Sequence, residues 1–291
     1  MNKRNETMAS VAVVIPAYNA ASTVEDTVRN VMSSTIPLEV WVVNDGSTDD
    51  TGKILDRLAE EFSVNVIHQE NQGAYAARLN ALKRINTPWF GFVDADDMVE
   101  PTMFEELLAF AESNQCDAVQ CGVKDINPDV ELGPWYREIL NGNDSAILKN
   151  RQEVETRFIQ PHLVAGQGSS FIWNKLYLNQ YDFNSFATFN HLTNYDDMIF
   201  NFEFFASVSR FGILKKELYH YARTSDSATH SFGECHFRDF MACYDFRRNN
   251  GVPSRRWYWV NLRSAVATVI RSNIPIMSKV RWIFKFLMTS I

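Results

Sequence analysis

Cysteine is scarce in this 291-residue chain. The four present, Cys116, Cys121, Cys235 and Cys243, stand at spacings that match neither a zinc knuckle nor a disulfide framework. Together with a polar MNKRNET start in place of a hydrophobic leader, that usage points to a reducing, cytoplasmic setting. No uninterrupted apolar run approaches the roughly 18 residues that a membrane-spanning helix needs, so a bilayer-spanning protein is not expected. A glycine-rich turn after the first strand is also missing, which argues against a dinucleotide-dependent dehydrogenase. Acidic residues are absent from Phe246 to Ile291, where nine Lys or Arg stand, so the net charge of −7 divides into +9 in this tail and −16 before it.

What is present is a globular composition, 46% hydrophobic and 22% charged, with no low-complexity segment and no internal repeat. The β-branched run Val11 to Ile15 stops at Pro16 and is followed by Val24, Val28 and Val31 at helical spacing. The same alternation recurs as Val40 to Val43 with Ile54, Leu55, Leu58 and Phe62, and as Val64 to Ile67 with Ala74 to Ile85. It recurs again as Trp89 to Val93 with Phe104, Leu107 and Leu108. Strands alternating with helices predict an α/β fold, a mostly parallel sheet covered on both faces. Ligands bind such sheets at the carboxyl ends of the strands. Three polar loops fall there: Pro16-Ala17-Tyr18-Asn19, Asn44-Asp45-Gly46-Ser47 and Asp94-Ala95-Asp96-Asp97.

Three carboxylates within four residues, placed directly after a buried strand, suit a hard divalent cation such as Mg²⁺ or Mn²⁺, which binds one or two carboxylates together with substrate phosphates. Taken alone, the tetrapeptide has an acidic helix start as its lesser alternative.

The order of motifs carries more. Val13-Val14-Ile15-Pro16-Ala17-Tyr18-Asn19, then Asn44-Asp45-Gly46-Ser47-Thr48-Asp49, then Asn71-Gln72-Gly73 with Ala77-Arg78, then Asp94-Ala95-Asp96-Asp97 resembles the successive signatures of family 2 glycosyltransferases. The likeness is strong over residues 10 to 125 and looser to about Thr229. It implies a GT-A (Rossmann-like) fold with helices flanking the sheet and a nucleotide-sugar as donor. It also implies site residues: Tyr18 stacking near the base beside Pro16 and Asn19, Asp45 accepting hydrogen bonds from the base, and Gly73 and Arg78 close to the nucleotide. Asp94 would contact ribose or metal with Ala95 beside it, and Asp96 would ligate the metal. Leu79 and Ala81 depart from the Asn and Gly that the family often has after the arginine.

In the second block, Trp173-Asn174-Lys175 precedes Asn194-Tyr195-Asp196-Asp197, similar to the family's acidic pair whose second member is the catalytic base, here Asp197. The alternative for such a pair is a capped helix start. Tyr219-His220-Tyr221-Ala222-Arg223 and Ser227 resemble the loop that closes over the donor diphosphate, with Arg223 and Ser227 as phosphate contacts; His220 and His230 are candidate further metal ligands, with a structural role as the alternative for each. These roles imply an inverting transfer to a hydroxyl of a saccharide or lipid-linked acceptor, in the synthesis of a cell-surface polysaccharide.

The division expected is 1–125 for the nucleotide-sugar half, 126–248 for the acceptor side of the same domain and 249–291 for a basic, aromatic helical tail containing Trp257-Tyr258-Trp259. On a helix, Ile276, Val280, Ile283 and Leu287 form an apolar stripe with Arg281 and Lys285 turned away, which fits an anionic membrane surface on the inner face of the cell membrane or a cap on the protein's own core. A dehalogenase-type phosphatase would carry its Asp pair on the first strand. A scaffold that binds nucleotide-sugar without catalysis remains the alternative. Nucleic acid is not an expected partner, since the body is acidic and no recognised module is present.

Overall fold

Val11 to Ile15 are fully buried, a condition a strand meets only when both faces of its sheet are covered. The structure is a computed structural model that describes residues 9–125, 139–164, 171–189, 192, 194–222, 234–250, 266, 269–270 and 274–289. The chain runs β1 (Val11–Ala17), α1 (Val24–Met32), β2 (Leu38–Asp45), α2 (Thr51–Glu61), β3 (Asn65–Gln69), α3 (Ala74–Leu82), β4 (Trp89–Phe92), β5 (Met98–Val99) and α4 (Met103–Asn114). It continues through β6 (Ala118–Asp125), β7 (Ser145–Leu148) and the short α5 (Arg151–Val154), which passes into a π-helical stretch, Glu155–Val164. Then come β8 (Lys175–Leu178), α6 (Asp196–Phe205), β9 (Phe211–Tyr221), α7 (Glu234–Asn249) and α8 (Ile276–Thr289).

One sheet carries the strands in the order β3-β2-β1-β4-β8-β6-β9-β5, with β7 on β9. β3, β2, β1 and β4 run parallel to one another, the α/β architecture expected, and their carboxyl ends bring the three polar loops to one edge. The sequence pattern fades after Val123, yet the sheet does not stop there. β8 is wedged antiparallel between β4 and β6, and β6 pairs in parallel with β9. The residues named as the diphosphate loop, Tyr219-His220-Tyr221, are therefore strand and not loop. β9 carries Lys215-Lys216-Glu217 at its centre, which hides it from a search for apolar runs.

An aromatic cluster binds the two halves of the sheet to α6. Phe90 of β4 stacks on Tyr177 of β8 at 5.2 Å, and both meet Phe200 and Phe204 of α6 edge-on. Each buried aromatic contributes about 1.5–3 kcal/mol, so the start of α6 rests on a rigid floor.

The tail departs from expectation. In α8, Trp282 packs on Phe237 of α7 at 5.6 Å, and Ile283 is turned against the core with it and does not belong to an outer stripe. The solvent face is formed by Ile276, Met277, Val280 and Phe284, each 58% exposed or more. Their spacing of three and four residues puts them on one side of the helix. The side chains of Lys285 and Leu287, and the Trp257-Tyr258-Trp259 run, lie outside the described residues.

Candidate active site

The loops after β1 and β2 are laced to each other. Asn19, at φ 49°, donates its backbone N–H to Ser47 Oγ at 3.0 Å and accepts from Thr48 N at 2.8 Å; Ala20 N and Ala21 N donate to Thr51 and Asp49. Asn19 is thus a brace between loops, which holds the neighbouring Tyr18 at the rim with its ring 53% exposed. Pro16, one residue before the end of β1, pairs with Val43.

Asp45 is buried, and its carboxylate is filled by protein donors. Oδ1 accepts from Gln69 Nε2 at 2.7 Å and Gln72 N at 2.9 Å, and Oδ2 accepts from Gly73 N at 2.8 Å. Besides the base contact that the resemblance implies, Asp45 shapes the Asn71-Gln72-Gly73 turn on which α3 begins. Gly46, at φ 71°, makes this possible, since a Cβ there would stand 2.6 Å from Asn71 N.

The strand-end acids divide into different jobs. Asp97 is fully buried, accepting from Tyr219 Oη at 2.6 Å and Ala222 N at 2.7 Å. Burial and the neighbouring Asp94 push it up to about 8. Tyr219 also receives Asp94 N at 3.1 Å, and Thr27 Oγ1 donates to the carbonyls of Ala95 and Asp97, so the loop is clamped from both sides. Asp94 and Asp96 keep partly exposed side chains.

Arg78 joins this loop to the second block. Its guanidinium is buried and reaches Asp94 at 2.7 Å, Asp196 at 2.6 Å and Asp197 at 3.7 Å. Three acids around it hold it firmly protonated. Arg78 is therefore the counter-charge that Asp94 of the acidic loop shares with Asp196 and Asp197. Asp196 and Asp197 open α6 after Tyr195, whose φ of 65° turns the chain sharply into the helix, and no side chain caps that end. The pair faces Arg78, so it is not a cap. Burial, with Asp196 and Asp94 nearby, drives Asp197 well above the usual carboxylate range, and Arg78 and Lys175 oppose that shift. Such a carboxylate can take a proton from a hydroxyl.

Among the described residues no three metal-ligating side chains stand together. Two partly exposed carboxylates, Asp94 and Asp96, fit a hard cation whose remaining ligands come from a diphosphate and water. His220, named as a further ligand, gives Nε2 to Glu100 at 2.7 Å. Arg223, Ser227 and His230 lie outside the described residues. The motif reading missed Tyr219 as the clamp on the acidic loop, and Glu203, which accepts from Tyr75 Oη at 2.8 Å and ties α6 to α3. Tyr219 opens a motif whose resemblance gives it no such role, and Glu203 carries no recognisable spacing.

A family model described as Glycosyl transferase family 2 matches residues 12–179. The glycosyltransferase EpsJ of Bacillus subtilis (strain 168) is 29% identical over 230 residues, 75% of this chain and 62% of its own. The putative glycosyltransferase EpsH of the same organism is 28% identical over 244 residues, 81% of this chain and 67% of its own. The chain thus spans about three fifths to two thirds of these relatives. Among solved structures, S. aureus TarS 1-349 in complex with UDP-GlcNAc aligns with a TM-score of 0.64 at 18% identity, covering 96% of this chain and 71% of that one. The mannosyltransferase PcManGT from Pyrobaculum calidifontis, in complex with GDP-Man and Mn²⁺, aligns at 0.55 with 15% identity, covering 97% and 85%. At these identities the structural likeness concerns the fold, which is that of the GT-A glycosyltransferases.

Proposed function

The chain belongs to glycosyl transferase family 2, and from that premise we propose that it transfers a sugar, with inversion, from a nucleotide-sugar to a hydroxyl of a saccharide or lipid-linked glycan. The observation that carries the reading is Arg78, which gathers Asp94, Asp196 and Asp197 around one guanidinium and so joins the acidic loop to the opening of α6. The UDP-GlcNAc held by the fold neighbour TarS supports a uridine donor, and the Mn²⁺ of PcManGT supports a divalent cation.

In this reading Tyr18 offers its exposed ring to the base, and Asp45 fixes the turn at Gly73 that borders it. Asp94 and Asp96 would hold Mg²⁺ or Mn²⁺, which supplies positive charge to the diphosphate as it leaves. Asp197 accepts the proton of the attacking hydroxyl as the new glycosidic bond forms and the anomeric carbon–phosphate oxygen bond breaks, its electrons going to the diphosphate. A single displacement inverts the anomeric centre. Arg223 and Ser227 keep the phosphate-binding roles that the resemblance gives them.

The test is a thermal-shift series of UDP, GDP and their sugars with and without Mn²⁺, followed by UDP or GDP release from the donor that stabilises most. Stabilisation that requires the metal, together with release abolished in Asp197→Asn and nucleotide binding kept, is the expected result. Undiminished release in Asp197→Asn overturns the base assignment. No response to any nucleotide favours the non-catalytic scaffold.

No described helix is long and apolar enough to cross a membrane. We place the protein in the cytoplasm, peripherally against the anionic inner face of the cell membrane. The exposed face of α8 supports this: among the described residues, five of the seven exposed large hydrophobic side chains, Ile270, Ile276, Met277, Val280 and Phe284, fall in the segment that carries +9 charge. Phosphatidylglycerol vesicles should sediment the wild-type chain but not Met277→Glu/Phe284→Glu, with phosphatidylcholine vesicles retaining neither. A concentration-dependent dimer abolished by the same substitutions, without vesicle binding, would assign that face to a second copy instead.

A further inference from the structure

Lys175 is a buried titratable group that the reaction above leaves unused. It has no solvent exposure, and its Nζ finds only neutral oxygens: Asn174 Oδ1 at 3.0 Å and the carbonyl of Phe171. An ammonium kept from water without a carboxylate in direct contact is costly, and an apolar side chain of the same length would fill the place at less expense. Its position explains the retention. Phe171 O also accepts from Asn201 Nδ2 at 3.4 Å, and Asn201 stands four residues after Asp197, on the same face of α6. Tyr177, two residues along β8, reaches Asn201 as well, at 3.2 Å. β8 therefore presents Lys175 to the helical turn that carries Asp197.

We propose that Lys175 is a positioning residue for the transfer, its buried ammonium acting from β8, as Arg78 acts from α3, to keep Asp197 anionic until an acceptor hydroxyl arrives. The proposal rests on Asp197 being the base. The charged and titratable groups facing Asp197 include Asp196 on its own helix, Arg78 on α3, Asp94 at the end of β4, and Lys175 and Tyr177 on β8. Those facing Lys175 are Asp197 and the Cys121 thiol of β6. Asp196 and Asp94 both resist ionisation of the base, so one guanidinium shared among three acids leaves a deficit of positive charge that Lys175 offsets. Burial lowers Lys175 to about 7, which leaves it able to carry charge near neutrality.

The experiment uses the full chain labelled with ¹³Cγ aspartate, in buffer containing Mg²⁺, with Asp197→Asn identifying the resonance of the base. In Lys175→Met, and in Lys175→Gln as a second neutral replacement, that resonance should titrate about one to three pH units higher than in the wild type. The acidic limb of nucleotide release should move with it, and Lys175→Arg should return both toward the wild type. Lys175→Met should unfold no more readily than the wild type, which separates the effect from a loss of structure. An unchanged Asp197 midpoint in a folded neutral variant overturns the proposal. Were Asp197→Asn to release nucleotide at the wild-type rate, the base reading itself would fall, a result distinguishable from the first.

Discussion

Arg78 and Asp196 meet at 2.6 Å between α3 and α6, a contact between a helix of the strongly patterned half and a helix of the second block. The same guanidinium holds Asp94, so it serves as structural keystone and as electrostatic centre. Replacing it strands three acids without their shared counter-charge. Arg78→Ala should lower stability by about 3–5 kcal/mol, read from urea unfolding, because the acids it leaves behind are largely shielded from water. A loss below about 1 kcal/mol would mean that water already satisfies those carboxylates.

Gly46 is the second lever. Gly46→Ala combines a left-handed backbone with a Cβ only 2.6 Å from Asn71 N, so the turn that gives Gln72 N and Gly73 N to Asp45 must shift. The expected cost is about 1–3 kcal/mol, together with weaker nucleotide retention in a titration monitored by Tyr fluorescence. Wild-type unfolding and wild-type binding together would show that the turn is not set by this contact.

The third concerns pH. Lys175 sits at about 7 in the folded protein, below its ordinary value of 10.5, so between those limits the unfolded chain binds the extra proton. Stability should therefore rise with pH across that window through this group. Lys175→Met, which lacks the group, should exceed the wild type by a few kcal/mol near pH 7 or below, with the gap closing toward about pH 10. Urea melts of the two proteins across that range check it; a pH-independent gap would be the contrary outcome.

The parallel half was readable because β1, β2 and β4 carry short apolar runs with a turn after each, and Tyr18, Asp45, Arg78 and Asp94 fall at turns or helix positions fixed by the alternation of strand and helix. What the pattern could not convey was partnership. Asp45 reads as an acceptor for a ligand, and the sequence does not reveal that three protein donors also bind it, because the turn that supplies them is formed by residues more than a strand away. β8 is four residues long and begins with a lysine; its burial depends on lying between β4 and β6, a fact of the sheet and not of the segment. In α8 the periodic apolar residues were legible, but which of them faces the core depends on Phe237 in another helix.

The antiparallel insertion of β8 also limits how this chain can be recombined with its relatives. A cassette exchange that cuts after β6 would seem to swap an acceptor module while leaving the donor module whole. It would in fact remove the strand that closes the flank of β4, and with it Lys175 and the floor beneath Phe90. A graft that carries β8 and α6 together, and matches the incoming aromatics to Phe90 and Phe92, keeps that flank closed.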